Sequence, residues 1–465
     1  MASSCAVSRR LCPRRPACGL RGTVENEELR GYARHVTRLT SNKPALPTGF
    51  GVRPSSGSRL PGIEGLRAIA ACSILVYHTW LFAPPGPRSA NLGRLNEFVP
   101  ALTYGVILFF TLSGFLLYRP FAAAILRGSS LPSLRRYLRN RALRILPAYW
   151  FILLFCGVVL GSVLFWDAAG NLTNGRLLDS GLLARAAFFL QGYSPSTLLA
   201  GIGPAWSLAV EVVFYCALPL LVVLAFVLAR RRPDRRGRRW AVLTPAALIL
   251  LLGLTGKLAA AHLVPAATPY DDWGQNWHSV VVRSFWCQAD LFAFGMALAV
   301  LRVESEDRLL RLPRWWRKAA MIGVLAAYAA VARSPDGQQL SYSPRNTLVA
   351  AACALILALV VLPADGAADS GFVRVLETPP FVAAGVVSYS IFLWHEPLIR
   401  WLDGQGLTLA GRGGWLLNLL VVGTVTGLAS TLTYRFVEAP ALRLKFGRAV
   451  VGTESVPAAQ VEAAP

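Results

Sequence analysis

The chain has 465 residues, of which 54% are hydrophobic and only 15% are charged. Soluble proteins carry about 25% charged residues, so this composition excludes an ordinary soluble fold. The net charge of +23 would suit a nucleic-acid partner, but the arginines gather in short loops between apolar segments. That distribution is typical of the positive-inside rule of membrane proteins, and we therefore expect no nucleic-acid partner.

The eight cysteines do not form a disulfide framework. Five of them stand singly inside apolar segments, where a free cysteine behaves as a small apolar residue, and the other three lie near the N-terminus without the CxxC spacing of zinc sites. We expect no disulfide, no metal site and no bound cofactor.

In chain order, residues 1–60 are polar, arginine-rich and irregular, which predicts a disordered basic cytoplasmic tail. Residues 61–440 form the predicted membrane domain, and residues 441–465 a second disordered tail. Charge-free segments of about 20 residues, the length that crosses a ~30 Å hydrocarbon core, recur through the domain. They predict an all-α, polytopic membrane helix bundle with about ten transmembrane helices, at 63–82, 104–126, 146–166, 206–229, 241–263, 280–301, 317–334, 346–363, 380–402 and 415–437.

The loops predict the orientation of the bundle. Arginine clusters fill the loops 127–145, 230–239 and 302–316, whereas loop 264–279 has no Lys or Arg. We therefore expect a multi-pass plasma-membrane protein with a cytoplasmic N-terminus. The outer loop contains Asp271–His278, whose two tryptophans would suit either a sugar or the membrane interface. The segment 182–190 is too short to span and is predicted to be re-entrant or interfacial.

The first predicted helix carries two residues that are costly in a membrane. Arg67 and His78 are eleven residues apart, which is about three turns, so both point the same way, roughly 16 Å apart along the axis. Ionisable residues inside a membrane usually face a cavity or a partner. Arg67 falls near the cytoplasmic side and His78 near the far side.

Glu211 is expected at the same depth as His78. A carboxylate beside an imidazole fixes its tautomer and raises its basicity, an arrangement suited to taking a proton from a hydroxyl. His78 and Glu211 are therefore the candidate catalytic pair. The alternative is a buried histidine that only bonds a neighbouring helix.

Arg141 and Arg144 lie one turn apart at the cytoplasmic entrance of the third helix. They either bind an anionic, phosphate-bearing ligand or serve only as topology signals. Four further residues are candidates for supporting roles. They are Glu64, Ser113, Asp290 and His395. Three of them have an alternative interpretation: Asp290 could make an interhelical hydrogen bond, His395 could be an interface residue, and Ser113 could mark close packing.

Six motifs, in order, resemble acyltransferase family 3, the multi-spanning membrane O-acyltransferases of bacteria, over residues 60–440. They are Glu64-Gly65-Leu66-Arg67 followed by His78, Phe109-Phe110-Thr111-Leu112-Ser113-Gly114, Arg141-Ala142-Leu143-Arg144, Trp206-Ser207-Leu208 with Glu211, Ser388-Tyr389-Ser390 with Trp394-His395, and Tyr434-Arg435 with Glu438-Ala439-Pro440.

The resemblance implies transfer of an acyl group, often acetyl, from the co-substrate acyl-CoA to a hydroxyl of a glycan or a glycosylated metabolite such as a macrolide. It implies that His78 is the essential histidine, that Arg67 is the arginine of the first helix, and that Arg141 and Arg144 contact the donor. Two alternatives stay open. A transporter of an organic anion or a modified glycan could use the same residue types, and a structural scaffold would need none of them.

Overall fold

Helices form nearly all of the regular structure in the computed structural model of this chain. The structure describes residues 60–82, 92–232, 234–268, 271–310, 312–313, 315–332, 344–362 and 371–444. The two predicted tails lie outside these residues, apart from Leu60 and residues 441–444.

The described helices follow one another with short connections, and a single two-stranded hairpin lies between the third and fourth. The strands are β1, Val163–Trp166, and β2, Leu172–Gly175. The helices, numbered in chain order, are α1 Ile63–Leu81, α2 Gly105–Arg127, α3 Leu134–Leu154, α4 Ser180–Ala187, α5 Ala205–Arg231, α6 Arg235–Leu263, α7 Trp277–Val282, α8 Phe285–Gln288, α9 Asp290–Glu306, α10 Trp316–Ala332, α11 Pro344–Val361, α12 Gly371–Leu376, α13 Pro379–Val386, α14 Ser388–Gly404, α15 Gly411–Thr433 and α16 Ala439–Arg443.

Within the described residues, six helical segments are long and apolar enough to cross a membrane, or seven if a bent pair counts as one span. The chain is thus a helical membrane protein, and the predicted count of about ten spans is not confirmed. Part of the difference is length, since α9 and α10 have only 17 residues each and a span needs about 20. The six segments are Val99–Arg127, Leu134–Leu160, Ala205–Arg231, Arg235–Leu263, Pro344–Val361 and Gly411–Arg443.

The third helix differs from its predicted range, 146–166, at both ends. It begins at Leu134 because the Ser133 hydroxyl accepts a hydrogen bond from the Arg136 backbone N–H, 3.3 Å away, and so caps the first turn. At the other end the chain passes through a π-helical turn and stops at Gly161, which has a positive φ of 65°. Residues 163–166 are then a strand, paired with Leu172–Gly175.

Two other predicted spans are broken. The range 280–301 is divided among α7, α8 and α9. The range 380–402 contains a 72° bend between α13 and α14. The predicted short segment 182–190 lies mostly in α4, whose eight residues cannot span a membrane.

Close backbone contacts fix the packing of α2 against α9. A Cβ added at Gly114 would lie 2.2 Å from the Phe292 carbonyl oxygen, and one at Gly295 would lie 2.0 Å from that of Thr111. Larger residues cannot occupy these positions without separating the helices. The glycine following Ser113 therefore holds α2 tightly against α9, as small residues do between membrane helices.

The arginine clusters gather at one end of the bundle, which we call the arginine end. There Asp307 pairs with Arg127 at 2.9 Å and with Arg235 at 2.8 Å. Glu304 pairs with Arg239 at 3.2 Å. The ends of α2, α6 and α9 are thus tied together by ion pairs. The helix α1 begins near this end, because Gly62 lies against Val360, and the neighbouring Val361 carbonyl oxygen accepts a hydrogen bond from Arg302 of α9.

Candidate active site

A cavity of about 170 Å³ lies among α1, α2, α3, α5 and α14. Its lining combines aromatic side chains with polar and charged ones. The polar lining consists of Arg67, Ser113, Arg141, Arg144, Ser207, Glu211, Tyr215 and Tyr389, and the aromatic lining of Phe109, Phe110 and Phe392. Five of the residues predicted from the sequence therefore meet in one place.

Two of the three arginines in the cavity are already paired. Arg67 contacts Glu64 at 3.0 Å, one turn earlier on α1. Arg144 contacts Glu438 at 2.7 Å, and Glu438 also accepts a hydrogen bond from the Ser390 hydroxyl at 2.5 Å. Among the described residues, Arg141 has no ion pair, and its buried Nε has no hydrogen-bond partner. Arg141 is thus the arginine whose charge is best placed for an incoming anion.

Glu211 occupies the cavity and is held by two hydroxyls. Ser113 Oγ donates to Glu211 Oε1 at 2.8 Å, and Tyr215 OH donates to Oε2 at 2.6 Å. The expectation that Glu211 bonds His78 is wrong, because both carboxylate oxygens face Ser113 and Tyr215 in the cavity instead. Ser113 accordingly has a carboxylate beside it, which the sequence did not reveal.

His78 contacts His395 instead. His78 Nδ1 lies 2.8 Å from His395 Nε2, and His395 Nδ1 lies 3.2 Å from the Ile391 carbonyl oxygen. A carbonyl can only accept, so His395 Nδ1 carries the proton and its Nε2 is an acceptor. His78 Nδ1 must then donate, which leaves the His78 Nε2 lone pair free. His395 thereby fixes the tautomer that a general base requires.

The two histidines differ in exposure, and aromatic and charged side chains lie beside His78. His395 is fully buried, whereas His78 is half-buried and stacks on Phe82 with ring centroids 5.7 Å apart. The guanidinium of Arg400 lies 4.3 Å from the centre of the Phe82 ring and is anchored to Glu396 at 2.6 Å. The interface interpretation of His395 does not fit a residue with no exposed surface.

The histidine pair lies next to the cavity. Phe392 lines the cavity, and His395 follows it by three residues on the same face of α14, a rise of about 4.5 Å. The ring centroids of Phe392 and His395 are 5.8 Å apart, and Phe392 meets Phe109 of the cavity wall at 5.9 Å. An aromatic layer one helical turn thick therefore separates the polar cavity from His395.

Asp290 does not line this cavity. It forms a buried ion pair with Lys257 and accepts a hydrogen bond from the Thr347 hydroxyl at 2.5 Å. These contacts join α6, α9 and α11. The geometry favours the alternative weighed for Asp290, an interhelical bond inside the bundle, over a supporting role in catalysis.

Four partners were missed from the sequence although signals for some were present. Tyr215 stands four residues after Glu211, a spacing that places two side chains together on a helix. Lys257 stands inside a predicted span, where a lysine requires a partner. Arg400 stands four residues after Glu396, and Glu438 belongs to a quoted motif, but nothing in the sequence assigns Glu438 to Arg144.

The family model described as an acyltransferase domain matches residues 60–435. The chain belongs to this acyltransferase family. The match covers well over half of the sequence and includes every residue of the cavity lining and both histidines. The family predicted from the motifs is thus confirmed, and with it the class of enzyme, an acyltransferase. No solved structure matches the chain.

Three proteins similar to this chain are named acyltransferases or O-acetyltransferases. It is 28% identical over 416 residues to acyltransferase MdmB of Streptomyces mycarofaciens, covering 86% of this chain and 96% of that protein. It is 25% identical over 396 residues to the putative peptidoglycan O-acetyltransferase YrhL of Bacillus subtilis, covering 82% of this chain and 54% of YrhL. For the peptidoglycan O-acetyltransferase OatA of Listeria monocytogenes the identity is 26% over 391 residues, with 82% and 55% covered. The chain spans about half the length of the two peptidoglycan relatives.

Proposed function

We propose that this chain is an integral membrane O-acyltransferase that moves an acetyl group from acetyl-CoA to a hydroxyl of a sugar-containing acceptor. The observation that carries the proposal is the 2.8 Å contact between His78 and His395, one helical turn from an arginine-bearing cavity. Membership of the acyltransferase family supports the reaction class. The names of two relatives, peptidoglycan O-acetyltransferases, support an acetyl donor and a glycan acceptor.

The cavity suits the slender part of the donor. Its volume of about 170 Å³ is below the ~300–1,000 Å³ of pockets that enclose drug-sized ligands. The acyl-pantetheine arm enters it and passes the aromatic layer of Phe109 and Phe392, so that the thioester reaches His78, and the nucleotide remains outside at the arginine end. Arg141, which has no ion pair among the described residues, contacts the donor phosphates, while Glu438 holds Arg144 in place beside it.

The chemistry takes place at His78. The acceptor hydroxyl gives its proton to His78 Nε2 as its oxygen attacks the thioester carbonyl carbon. The carbon–sulfur bond of the resulting tetrahedral species then breaks, and the proton on His78 passes to the departing thiolate of CoA. His395 acts as a positioning residue, because its Nε2 accepts the His78 Nδ1–H throughout. Glu211 orders Ser113 and Tyr215 along the donor cavity rather than His78.

Orientation in the membrane follows from the charge at the two ends. The arginine end faces the cytoplasm, where acetyl-CoA is made, because cytoplasmic loops are rich in Lys and Arg. The half-buried His78 then faces the outer side of the plasma membrane, from which the acceptor approaches. The donor and the acceptor thus reach the histidine from opposite sides.

The test is thiol release from acetyl-CoA by the purified full-length protein in detergent. We expect CoA release by the wild-type chain and loss of that release in the His78→Ala variant. A transporter of organic anions has no thioester to cleave, so it predicts no CoA release from either protein. Wild-type protein that binds acetyl-CoA and releases no CoA with any hydroxyl acceptor would overturn the proposal.

A further inference from the structure

Three buried polar residues lie in and after the connection between α6 and α7, outside the acyl-donor cavity. Asp272 is 2% exposed, His278 4% and Arg283 4%. His278 Nε2 bonds Asp272 Oδ1 at 2.9 Å, and its Nδ1 contacts the Val264 carbonyl oxygen at 2.5 Å. Both nitrogens of the imidazole are therefore committed, and His278 orients Asp272.

The remaining polar atoms of this cluster have no partner within the described part of the chain. They are Asp272 Oδ2 and the Nε and Nη2 of Arg283, whereas Arg283 Nη1 donates to the Ser279 carbonyl oxygen at 3.5 Å. The ion-pair contact of Asp272 is with His278 and not with Arg283. Buried polar groups are normally hydrogen-bonded, so one acceptor and two donors without partners in the same small region indicate a site for a group that both donates and accepts. A hydroxyl has that property.

Two tryptophans enclose the guanidinium of Arg283. Its central carbon lies 4.0 Å from the centre of the Trp273 ring and 5.7 Å from that of Trp206. Trp273 is 49% exposed, so one of these indoles forms part of the molecular surface. An exposed indole packs against the C–H face of a sugar ring, and adjacent Asp and Arg side chains bind sugar hydroxyls. This combination of a flat apolar surface and a few fixed polar groups is typical of small-molecule sites.

The cluster joins the active site through the first turn of α5. Trp206 contacts Arg283, and the next residue, Ser207, lines the donor cavity. Just before the helix, a Cβ added at Gly203 would lie 2.4 Å from Glu396 Oε2, and Glu396 directly follows His395. The tryptophan–arginine cluster is therefore at the same end of the bundle as the histidine pair.

We propose that Asp272, Arg283 and Trp273 form a subsite for a sugar ring of the acceptor. When the sugar binds, the Trp273 side chain rotates away from Arg283. The ring then stacks on the indole in its new position, and one of the sugar hydroxyls donates to Asp272 Oδ2 and accepts from Arg283. This inference rests on the proposed O-acyltransferase function, since it supplies the acceptor subsite of that reaction.

The experiment uses the full-length protein in nanodiscs and the disaccharide N-acetylglucosaminyl-N-acetylmuramic acid as the probe. Binding is followed by quenching of tryptophan fluorescence, and CoA release from acetyl-CoA is measured separately. The Trp273→Ala variant should raise the dissociation constant of the disaccharide about 2- to 10-fold, and Trp273→Phe should restore most of the affinity. Neither change should alter the KM for acetyl-CoA. Because Trp273 is half exposed, its replacement removes the contact with Arg283 but leaves the rest of the packed interior intact.

Trp277 provides the matched control, because it follows the connection directly as the first residue of α7, is 59% exposed and makes no cation–π contact with Arg283. Trp277→Ala should bind the disaccharide as the wild type does. Equal affinity of wild type and Trp273→Ala, or equal weakening by Trp277→Ala, overturns the subsite. So does wild-type protein that turns over acetyl-CoA but does not bind the disaccharide. Disaccharide binding without any CoA release would instead refute the acyltransferase function and leave the sugar site standing.

Discussion

His395 can be replaced by two amides that differ in where they place a hydrogen-bond acceptor. Gln puts its amide near the position of His395 Nε2, where it can accept from His78 Nδ1–H, whereas Asn puts its amide near Nδ1 and leaves His78 without a partner. Loss of a hydrogen bond to a buried group costs about 1–3 kcal/mol, which corresponds to about 5- to 150-fold in rate. We expect His395→Asn to lose kcat by that factor and His395→Gln to stay within about threefold of the wild type.

The assay is the initial rate of CoA release from acetyl-CoA by each purified variant, with kcat and KM determined separately. A residue that only positions His78 should change kcat and leave the KM for acetyl-CoA unchanged, because the donor cavity is untouched. Thermal unfolding of the two variants in detergent serves as the control for folding. Equal kcat losses in the Gln and Asn variants, at equal stability, would refute the idea that the acceptor at His395 Nε2 selects the tautomer of His78.

Two further predictions concern the charged residues. Arg141→Ala should raise the KM for acetyl-CoA about 10- to 150-fold, which corresponds to the loss of a charge-assisted hydrogen bond, and should not lower the unfolding temperature. Arg144→Ala, in contrast, should destabilise the protein by about 3–5 kcal/mol, because it leaves the buried Glu438 without its ion-pair partner. The Arg144→Ala variant should therefore unfold at a lower temperature than the Arg141→Ala variant, and equal unfolding temperatures of the two would contradict this prediction. Lys257→Met should strongly destabilise the protein, because it leaves the buried Asp290 without its ion-pair partner. Adding Asp290→Leu to Lys257→Met should recover stability without loss of CoA release. A double variant as unstable as Lys257→Met would show that the pair does not act as a unit.

The apolar segments predicted most helices of the bundle, but their ends depended on local features. The start of α3 at Leu134 is set by the Ser133 cap, yet the arginines that follow suggested a loop, because charge is a poor guide to where a helix begins outside the hydrocarbon core. The hairpin after Gly161 was hidden by its apolar strand Val163–Trp166, since a short apolar segment has no period that distinguishes strand from helix.

The positions along the helices were predicted only in part. The shared depth expected for Glu211 and His78 is wrong, because Glu211 lines the cavity with Arg67, about three turns of α1 away from His78. Helical period placed Arg67 and His78 on one face of α1, and the structure puts them at the cavity and at the histidine pair. The partner of His78 could not be derived this way, because depth does not say which helix stands next to α1. His395 of α14 takes that position, while the contact with Ser113 draws Glu211 toward α2.

The most direct test of the central claim is single-turnover acetyl transfer by His78→Ala compared with the wild type, at equal occupancy of acetyl-CoA. General-base catalysis is worth about 10²- to 10⁴-fold, so the variant should bind acetyl-CoA with unchanged affinity and release CoA slower by that factor. A folded His78→Ala protein that releases CoA at the wild-type rate would contradict the assignment of His78 as the base.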